Sequence, residues 1–280
     1  MNYVLLAVAV LLAVSNNAIY HKLGGAGQNS RFFFTAVSSV VWLAVLLCGG
    51  VTAIQPVELW FGVLYGAVQA MFLFFKMQAM SSGPISITSV VSNCSMLLTT
   101  VFGVLFFMES VGVLQVIGVC AIVVSVLLCT DPKADMQMTA RWKLYCLGFF
   151  VFAASVGIIF KFFARTSGNG NNMMVVSAIT MVVLMMLLSF ARGESKKLDK
   201  TQLVCALLAG AVSCGYNRLN LYLSGVLPTV VQFPIFNGAV VLFSTLSGVV
   251  LFKETFSKKQ RIGILIGLIA IIFVSGVFQL

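Results

Sequence analysis

The chain is predicted to be an all-α integral membrane protein of ten transmembrane helices, arranged as two inverted five-helix repeats. Three observations predict it. Hydrophobic residues make up 60% of the 280 and charged residues only 9%, whereas soluble domains are about a quarter charged; mean hydropathy is +1.08. The apolar residues gather into ten runs with short connectors, and about 20 such residues cross a hydrocarbon core. Finally, Gly103-Val-Leu-Phe-Phe-Met-Glu109-Ser is written again as Gly248-Val-Val-Leu-Phe-Lys-Glu254-Thr, with Gln115 and Gly118 recurring as Gln260 and Gly263. Five spans per copy is an odd number, so the second copy enters the bilayer upside down relative to the first.

The first run, 2–20, lacks a basic leader and precedes nine others, so it reads as a retained helix and not a signal peptide. Runs at 32–49 and 59–80 follow. The fourth, 84–107, opens at Pro84, where a missing N–H costs nothing in a first helical turn, and the fifth covers 113–129. The connector from Thr130 to Arg141 is the seam. Residues 1–130 form the first repeat, 131–141 the inter-repeat loop and 142–280 the second repeat. Its runs cover 142–160, 172–190, 202–223, 228–252 (opening at Pro228) and 262–279. Each is a helix, because lipid offers no partners to an open backbone and the runs are twice the length of a membrane strand.

A net charge of +10 raises nucleic acid as a partner, but the basic residues lie between apolar runs and are not interleaved with aromatics on a soluble face. No nucleic-acid partner is expected. Thirteen of the 17 Lys and Arg residues follow runs one, five, seven and nine, which by the positive-inside rule puts both chain ends outside the cytoplasm. The seven cysteines show no CxxC spacing and read as reduced, space-filling thiols, neither disulfides nor metal ligands. Gly62-x-x-x-Gly66 and Gly263-x-x-x-Gly267 let helices approach closely, within a monomer in preference to a homodimer. Met173, Met174, Met181, Met185 and Met186 read as core or lipid-facing filler.

Polar groups in hydrocarbon are expensive unless they meet a partner or a wet cavity, and here they concentrate on runs one, three, four, eight and nine. Asn16, Asn17, Gln69, Ser92, Asn93, Tyr216, Arg218, Gln232 and Asn237 are the candidate substrate contacts. Under the repeat offset Ser92 corresponds to Asn237, which places two related helices' polar groups at one depth, as expected of a cavity between repeats. Arg218, with no acid beside it in sequence, is read as facing a carboxylate or phosphate, with snorkelling to the interface as the alternative; Lys76 reads as a snorkeller. All seven acids lie in loops or at span ends, which weakens proton-coupled cation export and membrane catalysis alike. Glu109 and Glu254 are expected to cap the helix that follows each of them.

The twofold pattern Gly-x-x-x-x-x-Glu, short turn, x-Gln-x-x-Gly, at Gly103 to Gly118 and Gly248 to Gly263, resembles the EamA-like family of the drug/metabolite transporter superfamily, over nearly the whole chain. The resemblance implies a central cavity lined by helices one, three, four, six, eight and nine, and a substrate among amino acids, sugars, phosphorylated metabolites, choline-like compounds or drugs. Two features depart from it. Many members have both ends in the cytoplasm, and the membrane Glu of the small multidrug branch is replaced here by Ser15-Asn-Asn17.

The functional expectation is a multipass transporter of a bacterial plasma membrane. It moves a small polar metabolite, an amino acid or similar zwitterion first, by alternating access, with no catalytic residue, cofactor or metal. Multidrug or cationic-compound efflux is the alternative, kept by Phe72, Phe74, Phe75, Phe233 and Phe236. A non-transporting membrane enzyme or assembly factor is the alternative from another class.

Overall fold

A computed structural model describes residues 1–22, 30–82, 85–129, 139–252 and 257–275. Among the described residues there are ten α-helices and no strand: α1 (Asn2–Lys22), α2 (Arg31–Cys48), α3 (Pro56–Ser82), α4 (Ile85–Phe107), α5 (Val113–Cys129), α6 (Ala140–Phe163), α7 (Gly170–Ala191), α8 (Lys200–Val226), α9 (Thr229–Phe252) and α10 (Lys258–Val274). Several run past the apolar stretches, because backbone hydrogen bonding continues into polar sequence: α3 opens at Pro56 and α8 at Lys200. By length and composition, α1, α2, α3, α6 and α7 are apolar enough to cross a membrane. Large apolar side chains face outward, Leu11 at 57%, Leu187 at 58% and Leu265 at 61% exposure, a surface suited to hydrocarbon.

Apart from Met1 and Asn2, the chain forms two compact units, residues 3–70 with 162–225 and residues 71–161 with 226–280. Each unit takes helices from both halves of the sequence. In the first unit α2 runs antiparallel to α7, and the Asn171 amide at the start of α7 donates to the carbonyls of Leu46 (3.4 Å) and Gly50 (2.7 Å) at the end of α2. α3 lies against α7 so closely that a methyl on Gly62 would stand 2.6 Å from Val176 Cβ, and one on Gly66 2.6 Å from Thr180 Cβ. The small-residue spacing therefore serves packing within the chain. Met173, Met174, Met181 and Met185 are buried, so the methionine-rich helix supplies core filler.

In the second unit α5 and α10 are antiparallel, and their contact is reciprocal. Gly118, near the start of α5, touches Ala270 and Val274 near the end of α10; Gly263, near the start of α10, touches Leu128 and Cys129 at the end of α5. Ser125 closes the pair by donating to the Gly263 carbonyl at 2.7 Å. The recurring glutamines also do one job. Gln115 Oε1 accepts the Gly112 N–H (3.1 Å) and Gln260 Oε1 accepts the Ser257 N–H (2.9 Å), each satisfying an orphan donor ahead of its helix. Phe75 stacks on Phe152 at 5.5 Å and fills the space over Gly148; Phe72 meets Phe149 at 5.2 Å, and Phe233 lies over Gly157.

Where lipid replaces water, the free N–H groups of a helix start need a protein acceptor, and four carboxylates supply it. Glu58 accepts from Asn169 N (2.6 Å), Gln55 N (3.0 Å) and Asn172 Nδ2 (2.7 Å), tying the starts of α3 and α7. Glu194 accepts from Phe32 N (2.9 Å) and Phe33 N (3.0 Å) in the first turn of α2. Asp199 accepts from Gln202 N at 2.6 Å in α8. Glu109, just past Met108 at φ 52, accepts from Thr229 N (2.6 Å) and Thr229 Oγ1 (2.9 Å) and pairs with Lys161 at 2.9 Å. Its target is thus the remote α9 and not the following α5, which Gln115 caps. Glu254 lies outside the described residues.

Glu109→Ala should leave Lys161, whose side chain is only 11% exposed, without its counter-charge, and lower stability by about 3–5 kcal/mol. Thermal unfolding in detergent measures this, and adding Lys161→Met should recover part of the loss. Gly118→Ala and Gly263→Ala should each cost about 1–3 kcal/mol in the same assay, because both methyls would meet the same antiparallel pair.

Candidate functional site

The polar centre of the first unit is built on α8. Ser213, Asn217, Asn220 and Ser224 are spaced four, three and four residues apart, which puts them on one helix face; the last three are buried. Within a bilayer an amide must find partners in protein, and the nearest are the carbonyls one turn back. Asn217 Nδ2 donates to Ser213 O (2.9 Å) and Asn220 Nδ2 to Tyr216 O (3.1 Å). These bonds orient the amides and leave Asn217 Oδ1 as an acceptor. The Tyr65 hydroxyl of α3, a fully buried side chain, donates to it at 3.0 Å.

Other helices add to this pair. From α2, Trp42 lies edge-on to the Tyr65 ring, centroids 6.5 Å apart at 85°. From α1, Asn16 Oδ1 faces Ser213 Oγ at a long 3.5 Å. Gln69, one turn beyond Tyr65, is buried as well. The named groups are amides, hydroxyls, a phenol and an indole: neutral hydrogen-bonding groups beside aromatic faces, able to orient a polar, uncharged solute.

The sequence candidates divide between the units. Asn16, Asn17, Gln69, Tyr216 and Arg218 belong to the first; Gln232 and Asn237 belong to the second. Two candidates are joined to the Tyr65–Asn217 pair: Asn16 through Ser213, and Tyr216 by side-chain hydrogen bonds with Ser213 and Asn217. Asn17 is exposed and Tyr216 half-buried at the flank of the stripe. Arg218 is exposed, and its guanidinium reaches the end of α2: a methyl on Gly49 would stand 3.4 Å from its Nη1. That is the carbonyl end of a helix, where a cation is favoured. In the second unit Gln232 is buried, and Asn237 Nδ2 donates to Phe233 O at 2.9 Å. Lys76 stands 5.9 Å from the ring centroid of Phe72 on its own helix. The side chains of Ser92 and Asn93 lie outside the described residues.

Sequence reasoning missed Tyr65, Trp42 and Asn217 as members of the site. The signal for Asn217 was present: the 213, 217, 220, 224 stripe has helical period, with Tyr216 on its flank at three residues from 213 and four from 220, whereas 218 falls off it. Tyr65 and Trp42 are aromatics inside apolar runs, and nothing in their spacing separates a hydrogen-bonding ring from core filler.

The profile of a family described as sugar transport protein matches residues 5–280. The chain belongs to this sugar transport protein family. Family and apolar helices together make this sugar transport family member a multi-pass integral membrane protein and a membrane transporter. A solved crystal structure resembles it with a TM-score of 0.75 at 16% identity, over 95% of this chain and 98% of that one, a likeness that shows the fold alone. No curated protein matches the chain.

A double-mutant cycle of Tyr65→Phe with Asn217→Ala, followed by thermal unfolding in detergent, should give a coupling of roughly 0.6–2 kcal/mol, the range for interhelical hydrogen bonds in membranes.

Proposed function

We propose that this chain moves a small neutral polyol, a sugar, across the membrane by alternating access between two inverted five-helix copies in an EamA-like arrangement. The observation that carries the substrate class is the neutral set Tyr65, Asn217, Ser213 and Asn16 with the Trp42 edge beside it. Sugar hydroxyls both donate and accept, as amides and hydroxyls require, and the apolar face of a sugar ring suits an aromatic neighbour. The family description agrees with this choice. A zwitterion needs a charge partner, yet Arg218 sits at the end of α2, and all four described acids accept from helix N-terminal N–H groups.

Inversion is supported by the pairing of equivalent helices. α2 with α7, and α5 with α10, run antiparallel, and the recurring Gly118 and Gly263 each meet the far end of the other's helix. A twofold axis in the membrane plane generates that relation from two copies of one sequence. The ten helices then become ten spans of a monomer, with the bilayer as their solvent.

The test is counterflow in proteoliposomes. Vesicles loaded with an unlabelled monosaccharide should accumulate the labelled sugar, while vesicles loaded with amino acids should not accumulate labelled amino acid. Asn217→Ala should slow sugar counterflow at least about tenfold, the loss of one or two buried hydrogen bonds, and Arg218→Leu should leave it within about twofold. Amino-acid counterflow in place of sugar overturns the substrate class; conversion of the sugar without accumulation overturns transport.

A further inference from the structure

We propose that the α7–α8 loop, residues 192–199, is a docking site for anionic phospholipid headgroups. In sequence the loop and the first residue of α8 carry four bases, Arg192, Lys196, Lys197 and Lys200, partly offset by Glu194 and Asp199. The structure gives both acids backbone partners. Glu194 turns inward to the first turn of α2, accepting from Phe32 N and Phe33 N, and Asp199 accepts from Gln202 N at the start of α8. Both carboxylates are thereby committed to helix starts, Glu194 half-buried and Asp199 exposed, while Arg192, Lys196, Lys197 and Lys200 are all exposed.

The loop is held at both ends, so the cations are presented on a fixed frame. Arg192 N donates to Leu188 O, and Glu194 N to Ser189 O, across Gly193 at φ +63. At the other end Asp199 N donates to Gln202 Oε1 at 3.1 Å. The Lys196 ammonium stands 3.6 Å from the ring centroid of Phe190, and Phe190 is itself 56% exposed.

What leads up to the loop selects a lipid over a soluble anion. Val183, Leu187 and Phe190 on α7, and Leu203, Val204 and Leu207 on α8, are exposed apolar side chains that belong against acyl chains. A phospholipid lying along α7 or α8 brings its headgroup to Lys196, Lys197 and Lys200, so tails and phosphate are met together. Each basic residue close to an anionic lipid surface strengthens attraction by roughly fivefold.

The experiment uses the full-length protein in neutral detergent and measures retention of phosphatidylglycerol against phosphatidylcholine by native mass spectrometry. Phosphatidylglycerol should be retained preferentially, and the preference should vanish at 1 M salt, where charge screening acts within about 3 Å. The variant K196Q/K197Q/K200Q should lose about tenfold or more in phosphatidylglycerol affinity at unchanged thermal stability, while K258Q/K259Q, at the start of α10, should lose less than about twofold. Inorganic phosphate at millimolar concentration should not displace the lipid. Equal losses in both variants, no preference over phosphatidylcholine, salt-insensitive retention in the unsubstituted protein, or displacement by phosphate would each overturn the proposal. None of these readouts depends on which solute is carried.

Discussion

The starts of helices in a water-poor environment set the terms for much of this structure. Every helix begins with N–H groups that have no partner within the helix, and lipid cannot hydrate them. The chain answers with its few acids. Glu58, Glu109, Glu194 and Asp199 each accept from backbone N–H groups at a helix start, and Gln115 and Gln260 treat α5 and α10 in the same way. The acids at span ends are thus fasteners between elements remote in sequence: Glu58 reaches α7, Glu194 reaches α2 and Glu109 reaches α9.

Close approach of backbones follows the same logic of partner shortage. Between lipid-embedded helices there is little hydrophobic drive, so contact area must come from tight packing, and glycine supplies it where a side chain would collide. Gly62 and Gly66 bring α3 onto α7, and Gly118 and Gly263 bring α5 and α10 together. Since both glycines stand at the same place in a recurring Gln-x-x-Gly pattern, one local sequence solution serves both sides of an antiparallel pair.

The polar centre of the first unit shows how neutral groups are kept inside hydrocarbon at modest cost. Asn217 and Asn220 each use a donor on the carbonyl one turn back, which leaves their remaining capacity oriented. Tyr65 takes up the Asn217 carbonyl, and Trp42 braces the Tyr65 ring. The proposal of an uncharged solute rests on this neutrality, because a charged one would lose hydration with no counter-charge among these residues to replace it.

Sequence alone determined what depends on local pattern. The apolar runs became helices, ten among the described residues, since a long apolar segment in lipid has only one backbone solution, and the Glu, Gln and Gly motif was visible twice. Asn16 and Gln69 were legible as polar groups in hydrocarbon, and the Gly62 and Gly66 spacing as a packing surface. Tertiary structure decided everything that depends on a partner. It sent Glu109 to α9 and not to the helix after it, placed Arg218 at the end of α2, and buried Asn217 and Asn220 by turning one face of α8 inward. It also recruited Tyr65 and Trp42, whose rings read as core filler in one dimension. The physical reason is that a hydrogen bond or ion pair is a property of two groups, and the second lay 120 residues away for Glu109 and Thr229 and 152 for Tyr65 and Asn217.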